Sequence, residues 1–213
     1  PLGSFGHLAT FSFHETKNIH SGQGGMLVVN DQSLVERANI IWQKGTNRKD
    51  FESNLVDKYE WVDFGSSFLM SELSAAFLWG QLASSDLIQS TRVRLAANYY
   101  HQLRNLEWAA AEYNEGTNGH LFYLVCDSKA IRDEFIQYMK RRGINCTFHY
   151  QPLHLSIMNK QRITDNTCGN AIHFADRIVR LPMYIEVEAM QEEIIKAVLW
   201  YKKSVRTESN VSL

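Results

Sequence analysis

The stretch TFSFHETKNIHSGQGGMLVV, residues 10–29, carries the side chains best suited to chemistry. Lys17 stands in a tight polar turn that follows a short apolar run. An unprotonated lysine amine attacks aldehydes and forms a covalent imine, and a position beside a strand end gives it rigid support. Ser12 lies five residues earlier, where that run ends. Its hydroxyl, with neighbouring backbone N–H groups, suits a phosphate oxygen. Gly22, Gly24 and Gly25 permit positive φ and close approach of the backbone to a ligand. On spacing alone, however, a lysine in a polar turn reads first as a solvated side chain. A glycine pair before a strand likewise reads first as a turn.

The elements that position these residues follow from patterning. LATFSF (8–13) and MLVVN (26–30) read as short strands. A helix is expected over roughly 33–44, with Ser33 as cap, Glu36 completing a capping box and Gly45 as its stop. Residues 45–67 read as a loop too long for a plain connector, which marks it as functional ground. Ser71 opens a long helix whose pattern runs toward Leu103, with a break near Ser84 and Ser85. Beyond 120 the pattern is strand (120–126), helix (129–143) and strand (144–150), then helices over 167–180 and 188–203 separated by LPMYIEV. These predict an α/β protein. Residues 1–4 read as the remnant of a cleaved purification tag, 5–103 as a first domain with its linking long helix, 104–203 as a small α+β domain, and 204–213 as a flexible tail.

Composition bounds the partners. The 213 residues include 22 basic and 23 acidic side chains, so no charge excess points to nucleic acid or an anionic membrane. No apolar run reaches the length of a membrane span. The three cysteines, Cys126, Cys146 and Cys168, lack disulfide or zinc spacing, so no metal site is expected and a cytoplasmic setting fits.

SFHETKN followed by GQGGMLVVND resembles the cofactor-lysine motif of the DegT-type sugar aminotransferases, which share the aspartate-aminotransferase fold of pyridoxal-phosphate enzymes. The resemblance continues in KGTNR (44–48), VDKYEWVDFGSSFLMSELSAAFLWGQL (56–82), FHYQPLH (148–154) and VRLPMY (179–184), and spans about residues 6–203. It implies pyridoxal 5'-phosphate as cofactor, with Lys17 as the Schiff-base lysine and proton shuttle. Ser12 becomes the phosphate ligand, and His14 lines the cofactor turn. Arg48, Ser66 and Ser67 fall in a loop that crosses between the subunits of a family dimer, the serines toward the cofactor and the arginine toward substrate. His149, Tyr150 and His154 fall where the small domain meets the sugar nucleotide. The implied reaction takes an amino group from glutamate to C4 of a dTDP-linked 4-keto-6-deoxyhexose, for surface polysaccharide. A homodimer or higher oligomer is implied with it.

The sequence departs from the family pattern at several points. Gln23 replaces a carboxylate, Leu69 replaces an asparagine, Glu72 replaces an aspartate, and the LSIMNK segment lacks a proline. The resemblance also implies that the chain is a C-terminal half, comprising a remnant of the large-domain sheet, a long helix and the small domain. The absent half, supplied by a separate polypeptide or removed, would carry the aspartate that pairs with the pyridine nitrogen. The chain alone is then expected to be inactive and self-associating. The alternatives are a non-catalytic fragment that serves as an oligomerisation or binding module, and a different enzyme that reuses the segment.

Overall fold

The computed structural model describes residues 1–160 and 168–209 and divides into two compact units, Pro1–Ser85 and Asp86 onward. In the first unit, β1 (Leu8–Ser12) pairs antiparallel with β2 (Gly25–Val29), Leu8 opposite Val29 and Ser12 opposite Gly25. The strands pair antiparallel because the segment joining them forms no crossover helix, which a parallel pair requires. A single 3-10 turn leads into α1 (Val35–Trp42). Asp31, rather than Ser33, caps that turn: its carboxylate accepts the Ser33 N–H at 2.9 Å and the Ser33 hydroxyl at 2.7 Å.

The long segment after α1 is not wholly loop, since it contains α2 (Arg48–Glu52). α3 (Glu72–Ala83) starts where expected, with the Ser71 hydroxyl accepting the Ser74 N–H at 3.2 Å. It stops at Ser84, and α4 (Ser85–Leu103) begins immediately after it.

In the second unit, α4 contributes Leu95, Tyr99 and Leu103 to the core. That packing sets the division at Ser85, ahead of the long helix, whereas the pattern reading placed a boundary after Leu103. β3 (Ala109–Ala111) and β4 (Tyr123–Cys126) are followed by α5 (Lys129–Lys140), β5 (Thr147–Phe148) and the short α6 (Ile157–Lys160). α7 (Gly169–Arg177), β6 (Ile178–Arg180) and α8 (Gln191–Ser209) complete the chain of elements. The sheet order is β3-β4-β6-β5, antiparallel throughout. The expected helix over 167–180 is therefore shorter: its last three residues turn into the strand between β4 and β5, and positions 161–167 lie outside the described residues.

The two units differ in how they hold together. The second has a continuous core in which Trp108, Phe135 and Tyr201 meet with ring centroids about 5 Å apart. Two of its buried polar groups are tied to backbone carbonyls. The Gln191 amide donates to Leu95 at 2.7 Å and the Tyr99 hydroxyl to Pro182 at 3.2 Å. Burial pushes the thiols of Cys126 and Cys146 up to about 12, so both are inert core side chains. In the first unit no large apolar side chain is buried. Phe64 is 89% exposed, Leu73 86%, Trp61 77% and Trp79 76%. Helix α3 is apolar on most sides yet carries no buried residue. Apolar surface of this extent is uncommon on a monomeric soluble protein.

Candidate active site

Lys17 sits where the β1–β2 hairpin closes. Pairing continues past the strand ends: the Phe13 N–H donates to Gly24 at 2.8 Å, Ser21 to Phe13 at 2.9 Å and Glu15 to Gly22 at 2.8 Å. The loop is thereby a braced protrusion. At its start the Lys17 N–H donates to the His14 carbonyl at 2.9 Å and closes a tight turn. The His14 ring fills that turn. Its Nδ1 accepts the Thr16 N–H at 3.3 Å and lies 3.0 Å from the Thr16 hydroxyl. A backbone N–H only donates, so Nδ1 is the bare nitrogen and Nε2 carries the proton. Lys17 itself is exposed, and among the described residues no carboxylate pairs with it.

Ser12 ends β1 opposite Gly25, and its hydroxyl oxygen accepts the His14 N–H at 3.3 Å. Ser12, His14 and Lys17 thus share one hairpin end. Ser21, which sequence reasoning passed over, is the buried brace of this loop: its hydroxyl donates to Gln23 at 3.2 Å. A Cβ on Gly24 would run into that hydroxyl and into the Met70 methyl, so the second glycine of GQGG is a packing requirement. The His20 ring lies 5.4 Å from that of Phe77, tying the loop to α3.

Arg48, Ser66 and Ser67 lie on a second, separately braced loop of the first unit. Buried Asn47 spans it, donating from its amide to Lys58 at 2.9 Å and accepting the Glu60 N–H at 2.9 Å. Buried Thr46 donates to Gln43 at 2.7 Å. Val62 and Asp63 both donate to the Gly45 carbonyl, at 2.9 and 3.0 Å. Ser66 donates to Ile41 at 3.0 Å and accepts the Lys44 N–H at 3.1 Å, while Ser67 forms a bridge with Gln43. Arg48 points to solvent and pairs with Glu52 at 2.7 Å; that bond raises its already high pKa, so its charge is fixed. The structure gives Ser66 and Ser67 a place in the loop's backbone ladder and gives Arg48 a carboxylate partner.

His149, Tyr150 and His154 belong to the second unit. His149 and Tyr150 follow directly on β5 and their rings meet edge-on at 5.3 Å. Burial, and then the charge of Arg180, hold the His149 imidazole below its ordinary value, so it is neutral at pH 7. His154 lies in a 3-10 turn, and its Nε2 is buried with no partner among the described residues. No group of side chains able to hold a metal occurs among the described residues, and no helix there is long and apolar enough to cross a membrane.

Comparison with known proteins places these features in a family. The chain is 27% identical over 195 residues to the spore coat polysaccharide biosynthesis protein SpsC of Bacillus subtilis, covering 86% of this chain and 50% of SpsC. Its fold matches that of Helicobacter pylori PseC, an aminotransferase involved in the biosynthesis of pseudoaminic acid. The TM-score is 0.84 at 22% identity, over 95% of this chain and 55% of PseC. The putative sugar aminotransferase Spr1654 of Streptococcus pneumoniae, in its PMP form, matches with a TM-score of 0.84 at 22% identity, over 96% of this chain and 55% of that one. The chain spans about half the length of the curated relatives it matches. The fold is accordingly α/β and corresponds to part of the aminotransferase fold. The family model for the DegT/DnrJ/EryC1/StrS aminotransferases matches residues 1–199, and the chain belongs to that family.

Proposed function

We propose that this chain supplies the cofactor-holding lysine of a pyridoxal-phosphate-dependent sugar aminotransferase. The donor is glutamate and the acceptor is C4 of a dTDP-linked 4-keto-6-deoxyhexose destined for surface polysaccharide. The observation that carries the reading is the placement of Lys17 on a braced hairpin end, beside Ser12 and His14, in a chain that matches the aminotransferase family over residues 1–199. Names among the relatives point the same way, toward polysaccharide and sugar biosynthesis.

Pyridoxal phosphate is the cofactor of this family, and the donor set fits it. An exposed primary amine without a carboxylate partner is suited to covalent attachment, and a strand-end hydroxyl to a phosphate oxygen. When bound, the cofactor supplies an aldehyde carbon and an electron sink. The chain's own contributions are simpler. Lys17 Nζ holds the cofactor and, when free of it, carries the proton that amino transfer relocates. Ser12 Oγ fixes the phosphate end. The Nε2–H tautomer of His14 keeps a second ring donor free of the Thr16 contacts, and the backbone hydrogen bonds at Glu15, Lys17 and Ser21 fix the position from which the Lys17 side chain extends. Arg48, Ser66 and Ser67 are proposed to act at a subunit boundary, and His149, Tyr150 and His154 on the sugar nucleotide.

A second reading is favoured by the apolar exposure of the first unit: the chain serves as an oligomerising or binding module, with itself or with a separate polypeptide. One experiment separates the two. The chain is combined with the preceding half of a family member, pyridoxal phosphate, glutamate and dTDP-4-keto-6-deoxyglucose, and 2-oxoglutarate and amino sugar are measured. Transfer supports the enzyme. Covalent cofactor at Lys17 without transfer to this acceptor, or to other keto-sugar nucleotides offered in its place, sinks the substrate class. Absence of both leaves the module reading standing.

A further inference from the structure

Arg180 ends β6, and its neighbours across the sheet are Tyr123 on β4 and Thr147 on β5. Alternation along a strand puts it on the face opposite Val179, which is fully buried in the core opposite Leu124. β5 runs on from Phe148 into His149 and Tyr150, and the Arg180 guanidinium lies 5.8 Å from the centroid of the Tyr150 ring. Tyr150 is 72% exposed, so this corner of the sheet opens to solvent. Arg180 Nε is buried with no hydrogen-bond partner among the described residues, and no carboxylate there pairs with the guanidinium.

A structural arginine is normally fully hydrogen-bonded or matched by an acid, because a half-buried cation without either is destabilising. Arg92 and Arg180 alike leave a buried Nε without a hydrogen bond, but the terminal nitrogens of Arg92 and Arg132 reach the backbone carbonyls of His120 and Ala175 at 3.5 Å, and Arg132 also pairs with Asp133. Arg180 has an aromatic platform and an unsatisfied donor. Nε is closed to solvent, so a ligand meets the two terminal nitrogens, for which no hydrogen bond is formed among the described residues. A planar guanidinium so presented, near the Tyr150 ring and close enough to His149 to act on its charge, matches an oxyanion, which it grips through two N–H bonds.

We propose that Arg180, backed by Tyr150 and flanked by His149, is an anion-binding site that takes a phosphate or carboxylate group. In the aminotransferase reading, on which the identity of the ligand rests, that group is the diphosphate of the sugar nucleotide or a carboxylate of the amino donor. Arg180 is then the residue that selects for the ligand's charge.

The test uses the whole chain without pyridoxal phosphate, so its outcome is independent of whether Lys17 binds cofactor. The chain is titrated with dTDP, with thymidine as the uncharged control, and separately with glutamate. Binding is followed by calorimetry and by the His149 ring signals in NMR. Saturable binding of dTDP but not thymidine assigns the site to phosphate, and saturable binding of glutamate assigns it to carboxylate. In either case Arg180→Gln weakens binding about tenfold or more, the loss of one charge-assisted hydrogen-bond pair. Arg180→Lys retains part of the affinity, and Arg94→Gln, at the exposed pair with Glu188, retains all of it. If Arg180→Gln perturbs the circular dichroism, exposed Tyr150→Leu carries the test and must also weaken binding. Failure of both ligands to bind, or equal affinity in the variants, overturns the proposal.

Discussion

The backbones of Gly45 and Asp63 touch: the Gly45 carbonyl accepts the Asp63 N–H at 3.0 Å, and any Cβ on Gly45 would overlap the Asp63 carbonyl. Gly45 also sits at φ +78°, in the left-handed region. Gly65 backs onto the same point. Two glycines therefore fasten the ends of the loop that carries Arg48 and leads to Ser66.

Gly45→Ala is expected to destabilise the first unit by roughly 1–3 kcal/mol, through the positive φ and the overlap together. Hydrogen exchange at Val62 and Asp63, whose N–H groups both bind Gly45, should accelerate. Exchange at Leu124, in the core of the second unit, should not change.

Leu124 and Leu73 should respond oppositely to truncation. Leu124 is fully buried, so Leu124→Ala should lower stability by about 2–5 kcal/mol in a denaturant titration. Leu73 is 86% exposed on α3, and Leu73→Ala should shift stability by no more than about 0.5 kcal/mol. Its effect should appear in sedimentation, where Leu73→Glu combined with Trp79→Glu is expected to lower the average mass of a self-associating chain. An unchanged monomer in wild type and variant alike would remove self-association from the account.

His149 gives a pH dependence of defined sign. Its imidazole titrates below 6.5 when folded, first through burial and then through Arg180, and near 6.5 when unfolded. Between those values the unfolded chain binds more protons, so its contribution to stability is present above about pH 6.5 and is lost as pH falls through the folded value. Arg180→Gln should raise the NMR titration midpoint of His149 only part of the way, because burial remains.

Much of the framework was legible from the residues. β1 and β2 announced themselves as β-branched and aromatic runs, and Ser71 capped α3 as its spacing indicates. The parts that escaped depend on tertiary partners. Ala109–Ala111 is three strong helix formers held as a strand by pairing with β4. β6 continues the apolar rhythm of α7 and becomes a strand only because β4 and β5 flank it. Arg180 escaped for the same reason: nothing in VRLPMY says that a tyrosine ring thirty residues earlier will lie beneath its guanidinium. Asp31 displaced Ser33 as cap because its carboxylate reaches both the N–H and the hydroxyl of Ser33. The resemblance singles out Lys17, whereas the bracing of its loop by Ser21 and Gly24 required the folded hairpin.

The central claim is that Lys17 holds the cofactor, and peptide mass mapping after borohydride reduction tests it most directly. The chain, combined with the preceding half of a family member, is mixed with equimolar pyridoxal phosphate, reduced, digested and scored lysine by lysine. The account predicts a pyridoxyl group on Lys17 well above the level on exposed Lys44 and Lys49, and its loss in Lys17→Ala with the circular dichroism unchanged. Equal labelling of all exposed lysines, or a label that survives in Lys17→Ala, would contradict it.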